Sequence, residues 1–595
     1  MLPHRTVVDA IVAAGRARPR HGYTFQDMKD RETFYSFADI DQETSRRANG
    51  LLELGLKKGD RLGLVLIEPE EFVLTFLAAL RAGIVAAPFY PPLGLTNYGA
   101  YHDRMARLMT NCGARVLVAS KRMAKLLWSL VSDVEALERV VTPDQISTQA
   151  PLPREVALEP ADIAFLQYTS GSTRLPKGVM VTHGGLVANS WAILGPQGLQ
   201  CDPDVDSGVS WLPLYHDMGL VGFVVAPICF GAGVTFIPTL RFLQDPTIWL
   251  ETIHRARGSV SFGPNFAFGY TARRVRQEQL ERWDLSCLKV LGCGGEPIKP
   301  GTLRQFSELL VGPTKMHPHV VRPCYGAAES TLAIALVPLS EGLQVQQIDA
   351  ESFQAEGKVA PAKPEKPALQ HVACGVAVAG TELAIADGEG RRLPDGVEGE
   401  ILVRGASVAA GYFEDPESTA EAFRDGWLHT GDLGYLLDGQ IYVTGRKKDL
   451  LILRGRNYHP HELEFPLEAI DGVRRGNIVA FSVPGEESEE PVIVLESKKE
   501  PDEGLLDAVK RQVQMTTGLS PRDIVVLRPS TLPKTSSGKV QRSQTRELYL
   551  NGLLGQQSTR INALGANRLE LMDHFVRSVW LRLRSSLTSS RRDSL

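Results

Sequence analysis

Residues 168–178 read YTSGSTRLPKG, and seven of these eleven positions are Thr, Ser, Gly or Lys. That composition combines short hydroxyls, an open backbone and one ammonium, Lys177. The apolar runs 163–166 and 179–181 on either side read as two short strands. A turn of this kind between strands can lay N–H groups and hydroxyls around a polyphosphate, with Lys177 as a point charge. It is not a Walker A loop, because Lys-Gly stands where that pattern requires Gly-Lys. Taken alone, the stretch also reads as a solvated Ser/Thr loop.

Four further clusters carry chemical potential. In Tyr325-Gly326-Ala327-Ala328-Glu329-Ser330-Thr331 an aromatic, a turn and a carboxylate follow the strand-like Val320-Val321. Beside a phosphate loop, Glu329 suits a hard cation, since Mg²⁺ takes one or two carboxylates plus phosphate oxygens; Tyr325 offers a ring for a base. Gly292-Cys293-Gly294-Gly295-Glu296-Pro297 would let backbone approach a flat ligand closely. Asp432, in His429-Thr430-Gly431-Asp432-Leu433, is a short carboxylate at a turn, suited to vicinal ribose hydroxyls or simply to the turn itself. Near the end, residues 532–540 (LPKTSSGKV) form a second lysine loop around Lys539; Pro533 and Val540 occupy two essential Walker A places, so this is no P-loop either.

These groups need a scaffold, and the chain is long enough for several cores: 595 residues, 43% hydrophobic and 23% charged. The net charge of −4, from 65 basic and 69 acidic residues, gives no reason to expect nucleic acid or an anionic membrane as partner. Seven cysteines with no Cys-x-x-Cys pair argue against a zinc site or a disulfide framework, and the first twenty residues make a poor signal peptide. A reducing cytoplasm is the expected location. Strands and helices alternate through 33–54, 61–66, 72–82, 84–89, 115–119 and 139–142, and buried strands are expected at 209–214, 234–238, 260–262 and 288–292, the pattern of α/β sheets. The uncharged segment 218–238 carries four glycines and two prolines and reads as short buried strands and turns rather than a membrane span. Residues 375–387 and 400–403 read as antiparallel strands of a smaller β-rich subdomain. Residues 343–370, with Pro361, Pro364 and Pro367 and dense charge, read as an exposed, poorly ordered insertion. The order changes near 445–448, with short α+β elements to about 549. A polar linker follows, then an amphipathic helix with Leu569, Met572, Val576, Val579 and Leu583 on one face.

Together the motifs resemble, in type and order from about 33 to 550, the adenylate-forming enzymes: acyl-CoA synthetases, luciferases and nonribosomal adenylation domains. Leu80-Arg81-Ala82-Gly83-Ile84, Gly399-Glu400 and Gly411-Tyr412 with Pro416 belong to the match. The resemblance implies a large N-terminal α/β domain (1–445) of two sheets plus a β-rich subdomain. This would be hinged at Lys448 to a small C-terminal α+β domain (446–550), with 551–595 as linker and tail. It implies ATP and Mg²⁺. Lys177 with Thr169, Ser170, Gly171, Ser172 and Thr173 would hold the β- and γ-phosphates, and Glu329 the metal. Tyr325 and Gly326 would sit at adenine, Asp432 at the ribose, Arg446 at ribose and α-phosphate, with Gly294, Gly295 and Glu296 also at the nucleotide. Lys539 would activate the carboxylate step.

Within that family the chain is similar to the fatty acyl-AMP ligases. It carries Arg174 in the phosphate loop, the runs Trp211–Gly219 and Gly263–Phe268, and an insertion at 343–370. Phe262-Gly263-Pro264-Asn265-Phe266 lacks the aspartate with which amino-acid-activating relatives pair an amine, so an acyl pocket is expected at Trp211, His216, Phe262, Phe266 and Phe268. The implied partners are a fatty acid and a phosphopantetheinylated acyl carrier protein or polyketide/nonribosomal synthase. The insertion would restrict the movement that lets relatives receive CoA. An acyl-CoA ligase or an aryl- or amino-acid adenylation domain remains an alternative.

Overall fold

The computed structural model describes residues 2–92, 98–169, 176–485, 489–500, 502–535 and 538–555. Two sheets share one apolar core. The first has six strands in the order Arg139–Val141, Ala114–Ala119, Arg61–Val65, Val85–Pro88, Ile163–Tyr168, Gly178–Thr182, parallel except for the final antiparallel pair. The second has nine strands. Its parallel centre runs Val321–Gly326, Val290–Cys293, Val260–Gly263, Ser207–Ser210, Gly233–Phe236, Gly22–Gln26, and its edges are antiparallel.

The helices Phe37–Glu53 and Pro69–Arg81 belong to that core. Ser36 caps the first and Asp39 closes the capping box, while Phe37, Ile40, Thr44, Ala48 and Leu51 turn inward at helical spacing. The second is buried at every position from Phe72 to Arg81. Its one buried charge, Arg81, is matched by Asp41 and Glu155.

Segment 218–238 is buried as expected but mostly helical rather than strands and turns. Asp217–Leu220, a wider π turn at Val221–Val225 and Ala226–Phe230 precede the strand Gly233–Phe236. The residues that read as breakers act as punctuation. Pro227, which has no N–H to give a regular helical ladder, follows directly on the π turn, and Gly231 ends the helix with φ +69°. Among the described residues no helix is long and apolar enough to cross a membrane.

A third sheet, with strands Thr381–Ala386, Gly399–Gly405, Trp427–Leu437, Phe423–Arg424 and Gln440–Arg446, forms the β-rich subdomain. The insertion is not the poorly ordered loop its composition indicates. Strands Val345–Asp349 and Ala368–Val372 pair antiparallel around the helix Ala350–Glu356, and Ile348 and Phe353 are buried against Tyr435 and Tyr442. Its three prolines all fall in the connection after the helix, so they break nothing. Val359 and Leu369 pack beside them, so a few apolar side chains meeting aromatic ones hold the insertion to the sheet.

The smaller C-terminal domain has its own cores. A hairpin, Leu451–Leu453 with Arg456–Tyr458, and a three-stranded sheet, Val473–Pro484, Glu489–Ser497 and Asp523–Leu527, carry the helices Pro460–Leu467, Glu503–Thr517 and Arg542–Leu550. The expected tail helix at 569–583 lies outside the described residues.

Candidate active site

The neck of the 168–178 turn is well formed. Tyr168 lies opposite Gly178, and the Thr169 N–H donates to the Lys177 carbonyl at 3.1 Å. Ser170, Gly171, Ser172, Thr173 and Arg174 lie outside the described residues. Residues 410–413 run beside the second strand through a bridge between Val179 and Tyr412. This places the Tyr412 ring 4.8 Å beneath Lys177 Nζ, while its hydroxyl donates to Glu329 Oε1 at 3.0 Å. Tyr412 therefore ties the loop lysine to the candidate metal carboxylate, a role no local pattern in the sequence announces.

Glu329 sits in a single turn, Ala328–Ser330, held by its own carbonyl, which accepts from Ala409 N–H at 2.9 Å. The next turn is strained: Thr331, β-branched, has φ +66° and is pinned by its hydroxyl donating to the Ser407 carbonyl at 2.6 Å. Burial pushes the Glu329 carboxyl up, and the nearby Asp432 charge adds to this.

Asp432 and Arg446 are cross-strand partners, with Arg446 Nε 3.1 Å from Asp432 Oδ1; the Tyr325 hydroxyl donates to Asp432 Oδ2 at 2.8 Å. The Asp432 charge holds the Arg446 guanidinium above its usual range, against burial. Lys448 lies just beyond, its ammonium depressed by burial and by Arg446. Gly326 ends the strand that carries Tyr325.

From the small domain, the lysine loop brings Lys539 in. Thr535 N–H donates to the Lys539 carbonyl at 2.7 Å, and Lys539 N–H donates to Thr535 Oγ1 at 3.1 Å. The Lys539 charge acts on His216, Asp217 and Glu296. Burial, helped by Lys539, holds the His216 imidazolium down to about 4, so the ring is neutral at pH 7. Its Nε2 is buried without a hydrogen-bond partner among the described residues. Burial raises the Asp217 and Glu296 carboxyls, and Lys539 opposes both shifts. Glu296 also accepts from Phe266 N–H at 2.6 Å, so it stands between Lys539 and the start of the helix Asn265–Ala272.

Gly294 and Gly295 follow the strand Val290–Cys293 toward Glu296. Gly292 does not leave room for a ligand: a Cβ there would lie 2.0 Å from the Phe262 ring, which fills the space.

Trp211 stacks on Phe242 at 3.6 Å and meets Phe266 edge-on at 6.1 Å, with its Nε1 buried and unpartnered. Phe266 is 40% exposed. Phe268 is different: fully buried against Trp249 and Phe306, it sits in the core behind that wall. His216 also lines a cavity of about 30 Å³ with Tyr168 and Tyr215, which lie in the quoted motifs, and with Tyr90 and Arg104, which belong to none of them.

Residues 13–413 match the family of AMP-binding enzymes. The chain belongs to that family. As an AMP-binding enzyme it is an adenylate-forming ligase, and its relatives cover most of its length. It is 34% identical to a putative acyl-CoA synthetase of Caulobacter vibrioides, over 87% of this chain and 91% of the relative. It is 30% identical to the long-chain-fatty-acid–AMP ligase FadD32 of Mycolicibacterium smegmatis, over 86% and 88%. A chain solved in studies of fatty acyl-adenylate ligases from E. coli and L. pneumophila superposes with a TM-score of 0.86 at 34% identity, covering 93% of this chain and 99% of that one. A fatty acyl-adenylate ligase from L. pneumophila, in complex with acyl adenylate and pyrophosphate, superposes with a TM-score of 0.69 at 29% identity, covering 92% and 97%.

Proposed function

We propose that this AMP-binding enzyme activates a fatty acid with ATP, forming an acyl-adenylate and pyrophosphate, and passes the acyl group to the phosphopantetheine thiol of a carrier protein. The observation that carries the reading is the small domain's lysine loop set near enough for the Lys539 charge to act on His216 and Glu296, with Glu296 bonded to the Phe266 N–H of an apolar wall that includes Trp211. A cation there meets the two partners of the first step, a carboxylate and an α-phosphate, and lowers their mutual repulsion. The wall presents ring surface to the rest of the acid, and the neutral His216 adds no charge to it. The names of the relatives support the fatty acid as substrate.

Asp432 would hold the ribose, Tyr325 the adenine, Arg446 the ribose and α-phosphate, and Lys177 with Thr169 and its neighbours the leaving phosphates. The residues fit Mg²⁺: Glu329 is a half-buried carboxylate, its charge disfavoured by burial and by Asp432, beside the phosphate-loop lysine. With phosphate oxygens it would make a hard-ligand set. Bound there, such a metal would supply positive charge to the leaving pyrophosphate, beside Lys177. Thiol delivery calls for the small domain to turn about Lys448 within the 445–449 segment and withdraw Lys539.

The test offers radiolabelled dodecanoate and ATP with free CoA in one arm and a phosphopantetheinylated carrier in the other. The expected result is rapid acyl-AMP formation, a charged carrier and little acyl-CoA. Acyl-CoA made as fast as acyl-AMP would establish the second reading, an acyl-CoA ligase, which the name of the Caulobacter relative favours.

A further inference from the structure

Lys299 lies three residues after Glu296, in the same loop of the large domain. Its N–H donates to Asn265 Oδ1 at 3.0 Å, and Phe266 N–H donates to Glu296 at 2.6 Å, so the loop is fastened at both ends to one helix start. The Lys299 ammonium crosses to the small domain. Nζ reaches Glu468 Oε1 at 2.5 Å and lies 4.3 Å from the centre of the Phe465 ring. Both charged side chains of this pair are largely buried, at 23% and 18% exposure, where an ion pair is screened far less than at an open surface.

The contact continues into the small domain. Glu468 Oε1 also accepts from Gly476 N–H at 2.8 Å, and the Gly476 carbonyl accepts from Lys534 Nζ at 3.2 Å. Lys534 opens the loop that carries Lys539. A line of polar contacts thus runs from the Glu296 loop through Lys299, Glu468, Gly476 and Lys534 to the loop of Lys539, whose charge returns to Glu296. Arg273 of the large domain feels both the opposing charge of Glu468 and the like charge of Arg475 across the same seam. An attractive pair beside a repulsive one makes a contact that holds and can still open.

We propose that Lys299 and Glu468 are positioning residues for adenylation: they form the clasp that seats the small domain with Lys539 over the site, and it parts before the acyl group leaves. This rests on the function proposed above. Neither side chain touches the reacting atoms; both act through the placement of Lys539.

The experiment compares wild type with Lys299→Glu, Glu468→Lys and the double exchange. Adenylation is followed as pyrophosphate release, and transfer is measured separately from preformed acyl-adenylate to a phosphopantetheinylated carrier. Each single reversal should lower kcat for adenylation by about thirtyfold or more, the lower end of what losing one partner of a buried, hydrogen-bonded charge pair costs. KM for ATP should stay near wild type, and transfer should be undiminished. The double exchange should restore most of the lost kcat. A double exchange no better than the single variants, or transfer falling in step with adenylation, overturns the clasp. If wild-type enzyme forms no acyl-adenylate from any fatty acid, it is the proposed function that fails.

Discussion

Lys539 has little around it that a fold would need. Its backbone closes its own loop on Thr535, while its charge is directed at His216, Asp217 and Glu296. Lys539→Ala should therefore leave folding and ATP binding nearly intact and lower acyl-AMP formation by about 10²–10³, the usual cost of one preorganised charge partner. Pyrophosphate release close to wild type would remove it from the mechanism. Lys539, Lys177, Glu329, Asp432 and Arg446 were legible in the sequence because each sits in a short run of glycine, small hydroxyls and charge. Tyr412 in its linking role and Glu296 as a neighbour of Lys539 were not. The Tyr412–Glu329 bond spans 83 residues, and Glu296 and Lys539 belong to different domains, so no local pattern links them. Gly292 shows the opposite error: a glycine that looked made for a ligand makes room for a phenylalanine.

Among the elements, the insertion departs furthest from its composition. Its helix Ala350–Glu356 spans two bodies. Phe353 enters the aromatic cluster of the β-rich sheet, while Gln354 Nε2 donates to Glu462 Oε2 of the small domain at 2.8 Å and Glu351 lies 3.7 Å from Arg456. Cutting out 345–369 would strip Ile348 and Phe353 from that cluster, a loss on the scale of about 3–5 kcal/mol for one buried Phe. The gentler variant is Glu351→Ala with Gln354→Ala. It leaves the aromatic contacts alone, that of Phe353 with His459 included, and removes the two polar links to the small domain. A buried carboxyl left without its donor costs about 1–3 kcal/mol, so the docked arrangement should be about fivefold to a hundredfold less populated. Acyl-AMP should still form, and acyl-CoA formation should rise above wild type. Unchanged CoA use would detach the insertion from acceptor choice. The α/β sheets were readable from their periodicity. The insertion was not, because prolines and charges dominate its composition while a few apolar residues, Ile348 and Phe353 foremost, hold it in place.

At the scale of the whole molecule, the domains meet through a buried ionisable pair close to the 445–449 segment proposed above to turn. His459 of the small domain is 1% exposed, and its Nε2 lies 2.8 Å from Glu398 of the large one. Glu398 also accepts from Thr444, and the His459 ring approaches Phe353 of the insertion. Facing the pair are His371, held neutral by burial with a pKa of about 4, and Glu462, whose carboxyl burial pushes up. Burial acts to lower the His459 pKa, but the bond and charge of Glu398 outweigh it and the net shift is upward from 6.5. For Glu398 burial acts upward and His459 wins, leaving it below its ordinary value. The signs follow. A histidine raised on folding contributes stability that is fully present below its unfolded pKa and is lost as pH rises through its folded one. The depressed Glu398 contributes stability present above its unfolded pKa and lost as pH falls through its folded value. The pair thus holds the domains together in a window that closes on both sides, and the alkaline edge is the one near working pH. The margin in Tm of wild type over His459→Gln should be largest near pH 6 and shrink as pH rises through the folded pKa of His459. Hydrogen exchange at 451–467, corrected for its intrinsic pH dependence, should quicken over the same interval in wild type but not in the variant. A margin that stayed flat or grew with pH would mean that His459 is neutral in the folded protein and the pair an ordinary hydrogen bond.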